Sequence, residues 1–521
     1  MRSILPSLFL SAAVLGLTPS SEVQATVLAD CRACETSARF YEQREGSFAW
    51  TGPANAALFE DLRAAVAGAA AHGLDPADYH AAALAQIDPS EPDRYADELA
   101  TDAYLTLAAH LLAGRLDPVS IEPDWTAARR GRDLAAYLQG ALANGAIGES
   151  LEALSPAQPG YAALQAALQR YRGLAEAGPW PQVSEGGVLR PGDRGPRIAE
   201  VRARLEATGD VLPVEEGGDP EVYDNALRAA VETFQRRASL DPDGVIGPRT
   251  LIQLNTRAAE RVAQITANLE RWRWLPEDMG RRHIRVNIAD FSLEARQDGV
   301  VERRHDVIVG RLYRRTPVFS GNMTYMVLNP WWETPPSLAV RDKLPAFRSD
   351  PGAVQRLGFQ VIDRDGTLVD PETIDWANVP ARNFPYRLRQ APGPQNALGE
   401  VKFMFPNPHN VYLHDTPTRG LFAQTRRDFS SGCVRVRDPL ALAEWVTAET
   451  PGWEAARVQA VAAGDAETRV QLARGVPVHI LYWTVIPDDT TGVRFVDDLY
   501  DRDQNLIAAL GLAPPPLESR D

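Results

Sequence analysis

The chain has 521 residues, of which 45% are hydrophobic and 24% charged. That profile excludes a disordered chain and a small disulfide-stapled scaffold, and at roughly 100–200 residues per domain it implies about three domains. With 54 Lys and Arg against 69 Asp and Glu, the net charge is −15, which disfavours nucleic acid and anionic lipid as partners because both would repel the surface.

In chain order, residues 1–25 read as a secretory signal peptide of the Sec type. Arg2 supplies the charged start, Ile4 to Leu17 a short apolar core, and Val23-Gln24-Ala25 a small-residue cleavage site. The apolar stretch is shorter than the roughly 20 residues that span a bilayer, and no other segment reads as transmembrane. Asp30 before Cys31 argues against lipidation. Export implies the periplasm and an oxidising environment, in which Cys31 and Cys34 would either close a local disulfide or have no role in chemistry. Cys433 then has no partner.

Residues 30–182 are rich in Ala and Leu and read as an all-α scaffold domain. The spacing predicts helices over Ala56 to Ala71, with Asn55 as N-cap, and over Leu99 to Ala113, where Tyr104, Leu107, Ala108 and Leu111 fall on one face. His72, His80 and His110 are expected to be satisfied structural residues, and Ala177 to Gln182 reads as a linker. A compact unit follows at 187–256. Ile198, Val201 and Leu205 mark one helix, Leu227, Val231 and Phe234 a second, and Thr250 to Leu254 a third, with a tight turn at Asp241 to Pro248. This pattern, with Phe234-Gln235 ahead of the DPDGVIGPRT turn, resembles the peptidoglycan-binding domain.

From 262 to 487 the period changes to two. Ile284, Val286 and Ile288 alternate, as do Val401, Phe403 and Phe405, and Val476, Val478 and Ile480, which predicts a mostly antiparallel sheet. Residues 335–397 interrupt it with many Pro, Arg and Asp and with Phe347, Phe359, Trp376, Phe384 and Tyr386. An insertion of that length is expected to cap the domain as a substrate lid. Residues 488–521 read as a C-terminal segment that packs on the scaffold through Leu506 to Leu512. The fold class expected is therefore multidomain α+β: a helical scaffold, a three-helix module and a mostly antiparallel β domain with a capping insertion.

The residues that point to chemistry lie in two runs, Asn410-Val-Tyr-Leu-His414-Asp-Thr-Pro-Thr-Arg and Ser430-Ser431-Gly432-Cys433-Val434-Arg435-Val436-Arg437. The unpaired thiol follows a Gly that allows close backbone approach, and Arg435 and Arg437 are cations able to lower its pKa. His414 ends a predicted strand 19 residues upstream, so a Cys–His pair can form if that strand end faces the later loop. A buried, inert Cys and a satisfied His are the alternative for the same residues. His409, His414 and Asp415 could be imagined as zinc ligands, but there is no HExxH and no His pair on one helix.

HDTPTRGLF followed by SSGCVRV resembles the catalytic motif of the L,D-transpeptidases with a YkuD-type domain. Ser431 stands where a His is usual, a departure shared by the large periplasmic YcbB-like subgroup, which also has segments similar to those at 329–345 and 389–403. The resemblance implies acyl transfer on peptidoglycan stem peptides without a cofactor or a metal. Cys433 would be the nucleophile and His414 the base. Gly432, Tyr412 and Ser431 would line the oxyanion and substrate site, and Arg435 would anchor a carboxylate or order the loop. It also implies 3–3 crosslinks and capture by carbapenem-type inhibitors. An L,D-carboxypeptidase, D-amino-acid exchange and a non-catalytic peptidoglycan-binding scaffold are the alternatives.

Overall fold

The computed structural model describes residues 31–211 and 218–512; the signal-like residues 1–25 and the end of the C-terminal segment lie outside them. The scaffold is built around the helix Arg94–Ala113, whose Tyr104, Leu107, Ala108 and Leu111 are buried. Asp97 in its first turn is fully buried and accepts hydrogen bonds from the backbone N–H groups of Ala49, Trp50 and Thr51. Asp102 does the same for Arg32 and Ala33 and also bonds His80. Two carboxylates thus hold the N-terminal segment by charge-assisted bonds. Cys31 and Cys34 form a disulfide. The helix Ala56–Gly68 forms where its spacing predicted, but the Asn55 side chain does not cap it. Its amide donates back to the Thr51 carbonyl instead, because Asn55 takes a helical conformation in which its side chain turns away from the first free N–H groups.

The three-helix module comprises Pro196–Glu206, Asn225–Arg237 and Pro248–Asn255 around Ile198, Val201, Leu227, Val231 and Leu254. The Ala177–Gln182 linker is anchored: Trp180 is buried with the Arg204 guanidinium 3.7 Å from its ring centroid. His72, His80 and His110 all have partners, in Tyr161, Asp102 and Tyr79.

The β domain is a closed eight-stranded barrel. Its strand order is Arg282–Asn287, Thr468–Leu481, Phe319–Leu328, Val401–Met404, Leu413–His414, Val434–Val436, Val300–Ile308 and Ser292–Gln297, which pairs back to the first. Six of the eight neighbouring pairs are antiparallel. The pairs Arg282–Asn287 with Thr468–Leu481 and Leu413–His414 with Val434–Val436 are parallel. Ile284, Val286, Val307, Phe403, Leu413, Val434, Val436 and Val478 fill the interior. The insertion forms a separate four-stranded sheet in the order Trp332–Glu333, Arg387–Gln390, Phe359–Ile362, Leu368–Val369. It has its own core, centred on Phe347, Phe359 and Trp376.

The helix Ala258–Arg273 joins these parts, and its polar side chains are inside. Glu270 accepts from the Leu116 N–H at 2.8 Å and the Trp274 indole at 3.1 Å, and pairs with Arg273 at 2.7 Å. Arg273 continues to the His72 carbonyl at 2.8 Å and the Tyr161 hydroxyl at 3.0 Å, both in the scaffold. Trp272 stacks on Trp483 at 4.5 Å. Arg271 pairs with Asp503 of the terminal helix Arg502–Ala509, and Arg502 reaches Glu122 of the scaffold at 3.1 Å. Breaking a buried pair from one side strands the other charge. Glu270→Ala is therefore expected to lower unfolding free energy by about 3–5 kcal/mol, measured by urea denaturation. A loss under about 1 kcal/mol, the range of a surface pair, would contradict this account.

Candidate active site

The parallel pairing of Leu413–His414 with Val434–Val436 creates the site. Parallel neighbours need a long return connection, and the segment 415–433, with a 3-10 turn at Arg419–Ala423, provides it. The register places Leu413 beside Val434 and His414 beside Arg435. Leu413, Val434 and Val436 point inward, so by alternation Tyr412, His414, Cys433 and Arg435 share the outer face. Lys402 joins them from the next strand, opposite His414, with its ammonium 4.1 Å from the Tyr412 ring centroid. The strand leading into the capping insertion adds Trp332, whose side chain meets the Tyr412 hydroxyl, and the insertion adds Lys343, which feels the Arg435 charge.

His414 is buried, and its Nδ1 bonds the Asp415 carbonyl. That contact makes Nδ1 the protonated nitrogen and leaves Nε2 as a free base. Burial, then the charges of Arg435 and Lys402, push its pKa down to about 3. Burial also raises the Cys433 thiol above its ordinary value, against smaller opposing effects from Tyr412, Lys402 and Arg435. Arg435 lowers the thiol pKa as expected, but the net shift is upward and Arg437 takes no part. Desolvation outweighs Arg435, and Arg437 faces away, paired with Asp306 at 3.0 Å. The resting site holds a neutral thiol and a neutral imidazole. The Cys433 sulfur is 3.8 Å from the Asn410 carbonyl oxygen, and no hydrogen bond joins it to His414 among the described residues.

The Cys433 loop is braced from behind. Gly432 has φ +117°, a left-handed conformation that favours glycine. Its N–H donates to Ser430 Oγ at 3.1 Å, and Ser430 Oγ donates to the Cys433 carbonyl at 2.5 Å. Thr316 Oγ1 donates to the Gly432 carbonyl at 2.9 Å while accepting from Gly310 N–H at 2.9 Å. The Tyr500 hydroxyl in turn accepts from Thr316 N–H at 3.2 Å and donates to the Gly310 carbonyl at 2.5 Å. Gly310 must be glycine, because a Cβ there would lie 2.1 Å from the Arg314 carbonyl oxygen. A second support holds the His side. Asp415 accepts from Glu400 N–H at 2.9 Å and from Arg419 at 3.2 Å, over Gly399, where a Cβ would lie 2.1 Å from the carboxylate.

Among the residues named from sequence, Tyr412, His414, Cys433 and Arg435 are brought onto one face. Ser431 is exposed and accepts from Arg314 at 2.9 Å, and Arg314 grips Asp342 of the insertion with two bonds of 2.6 Å, so Ser431 ties loop to cap. Gly432 shapes the loop, with its N–H already used. Arg435 has a buried Nε with no hydrogen-bond partner among the described residues. His409 lies by Asp124 at 3.6 Å and against the Phe319 ring, and no group of three or more His, Cys, Asp or Glu able to hold a metal occurs among the described residues. Sequence reasoning missed Lys402, Thr316, Ser430 and Tyr500. Only Lys402 carried a signal, as the outward residue of the Val401-Lys402-Phe403 alternation.

The barrel thus carries a thiol and a tautomer-fixed imidazole on one capped face. Residues 281–478 match the family model described as L,D-transpeptidase catalytic domain. Residues 194–254 match "Putative peptidoglycan binding domain", and 35–168 match "Scaffold domain". The chain is 37% identical over 244 residues to a "Putative L,D-transpeptidase" of Haemophilus influenzae, a likeness covering 47% of this chain and 49% of the relative, so the match spans about half of each. It is also similar to solved L,D-transpeptidases. One, from Xylanimonas cellulosilytica, is 15% identical with TM-score 0.18, over 57% of this chain and 99% of that one. Another, from Mycobacterium smegmatis, is 12% identical with TM-score 0.19, over 39% and 58%. The chain carries a YkuD-type L,D-transpeptidase catalytic domain together with a peptidoglycan-binding domain and a scaffold domain.

Two outcomes follow from the geometry. His414, neutral above about pH 4 because its pKa lies near 3, gives no step near the ordinary His value of about 6.5. The rate of Cys433 alkylation by iodoacetamide is expected to keep climbing past the ordinary thiol value of about 8.5. A plateau below pH 8 would mean a stabilised thiolate and would contradict the resting state described. Removing either hydroxyl of the brace, in Tyr500→Phe or Thr316→Val, removes buried bonds worth about 1–3 kcal/mol. Amide exchange over 430–434 is expected to quicken roughly 10-fold or more, with Thr316→Ser retaining protection. Equal exchange in all three variants would show that the brace does not hold the loop.

Proposed function

We propose that the protein is an extracytoplasmic cysteine L,D-transpeptidase acting on peptidoglycan stem peptides. The observation that carries this reading is a thiol and an imidazole free at Nε2 on one face of the matched domain. No described helix is long and apolar enough to cross a membrane.

Substrate entry completes the pair, since hydrogen bonds in an empty site tighten when the reacting groups assemble. The Cys433 proton passes to His414 Nε2 as sulfur attacks the carbonyl of the third stem residue. The tetrahedral oxyanion meets the Cys433 N–H and the Tyr412 hydroxyl; the Gly432 N–H is unavailable because Ser430 holds it. His414 then gives its proton to the departing D-Ala amine, leaving a thioester on Cys433. A side-chain amine of a second stem gives a proton back to His414, attacks the thioester and forms the 3–3 crosslink, and the thiol is restored. Arg435, without a carboxylate of its own, pairs a substrate carboxylate. Lys343 and Lys402 reinforce the anion-attracting field.

The test is intact-protein mass spectrometry with muropeptide analysis. Cys433→Ala is expected to lose both crosslinking and covalent capture of a carbapenem, whose strained carbonyl imitates the donor. His414→Ala is expected to fold and acylate about 10²–10⁴-fold more slowly. An adduct on Cys433→Ala, or undiminished acylation in His414→Ala, would overturn the assignment.

A further inference from the structure

A wide cleft lies away from Cys433. It measures about 650 Å³ and sits between the three-helix module, the barrel, the loop 422–427 and the C-terminal hairpin segment. That volume suits a ligand of several hundred daltons, and such clefts at domain junctions are preferred binding places. Its floor is apolar, with Phe291, Phe422 and Leu499. Its rim carries both signs of charge at high density. The module contributes exposed Arg236 and Asp241, and the opposite wall contributes exposed Asp501 and Arg426, the latter already paired with Asp428 at 2.8 Å.

The walls are held in place by contacts across the cleft. Thr425 donates to Asp241 at 3.0 Å, Arg249 pairs with Asp497 at 3.0 Å, and Arg494 donates to Ser239 at 3.2 Å. The cleft therefore has a defined shape rather than being a gap between free bodies. It also adjoins the active site through one short loop. Leu312 lines the cleft, whereas on the same loop Arg311 N–H bonds the Ser430 carbonyl at 3.1 Å and Arg314 bonds Ser431.

A purely anionic ligand would meet the aspartates, and a purely cationic one the arginines. A ligand bearing carboxylate and ammonium groups close together, on an amide or sugar frame that covers the apolar floor, satisfies all three features. We propose that this cleft binds a zwitterionic peptide stem of a peptidoglycan strand. It would dock the strand beside the nucleophile loop while a different stem reacts at Cys433. The proposal rests on the transpeptidase reading for the identity of the ligand, but not for the existence of the site.

Binding of a soluble disaccharide-tetrapeptide to the full chain, followed by calorimetry and by chemical-shift changes at the cleft, tests it with two exposed charge reversals. To keep the reacting site out of the measurement, both are made in a Cys433→Ala background. Arg236→Glu and Asp241→Lys are each expected to weaken binding about 5- to 10-fold. Strengthening by Asp241→Lys would indicate a merely anionic ligand, and strengthening by Arg236→Glu a merely cationic one. Either result, or unchanged affinity in both, overturns the proposal. Carbapenem acylation of the same reversals with Cys433 intact is expected to match that of the parent chain. Loss of acylation in the parent would instead sink the transpeptidase reading and leave the binding result standing.

Discussion

The structure depends on the helix Ala258–Arg273 and on the charges it buries. Glu270 and Arg273 are nearly inaccessible, yet they are ion-paired and bonded to Leu116, Trp274, His72 and Tyr161. A buried pair of this kind adds little net stability over an apolar substitute, but it fixes geometry, because each charge tolerates only an arrangement that satisfies it. Here the satisfied arrangement registers the scaffold against the barrel. Gly114 shows how tightly: a Cβ at that position would lie 2.6 Å from the Glu270 carboxylate.

The same helix reaches the active site by a chain of bonds. Arg271 holds Asp503, Asp503 accepts from Thr484, and Thr484 exchanges two bonds with Asn268. This fastens the C-terminal segment, and that segment presents Tyr500 to Thr316 and Gly310, which in turn set the Gly432 carbonyl. The nucleophile loop is thus positioned by residues nearly 70 positions after it and more than 100 before it. The acyl transfer proposed for this site would be sensitive to misplacement at the ångström scale, which gives a physical reason for a scaffold so much larger than the site.

Much of this was legible in the sequence. Period-two alternation located the strands around Ile284, Phe403 and Val478, and helical spacing located Tyr104 and Leu111 on a buried face. The Cys433 and His414 segment stood out by its resemblance to the L,D-transpeptidase motif, since the residues alone also allowed a buried, inert Cys and a satisfied His. What escaped was whatever depends on partners distant in the chain. Arg271, Arg273 and Glu270 carry the composition of a solvated face and are buried only because their partners arrive from elsewhere. Thr316 and Tyr500 belong to segments with no motif of their own. The sign of the Cys433 shift escaped for a related reason. Sequence shows the neighbouring arginines but not the burial that outweighs them.

That sign has a chemical consequence. Oxidation of cysteine follows thiolate character and exposure. A permanently ionised Cys433, with no second thiol to resolve it once the Cys31–Cys34 disulfide is closed, would be prone to irreversible oxidation. A thiol whose pKa is raised by burial, beside an imidazole kept neutral by burial and by two cations, is less prone to that loss at rest. The cost is a smaller fraction of thiolate at rest. Under the proposed transpeptidase reading it is offset where it matters, because proton transfer to His414 is needed only as the sulfur attacks, and Lys402, Arg435 and the Tyr412 hydroxyl lie on the same face to meet the charge that develops. The cap contributes on the same terms. Trp332 and Lys343 stand against this face, where apolar and protein atoms in place of solvent strengthen charge interactions, and the tie through Asp342, Arg314 and Ser431 couples the cap directly to the loop that carries Cys433.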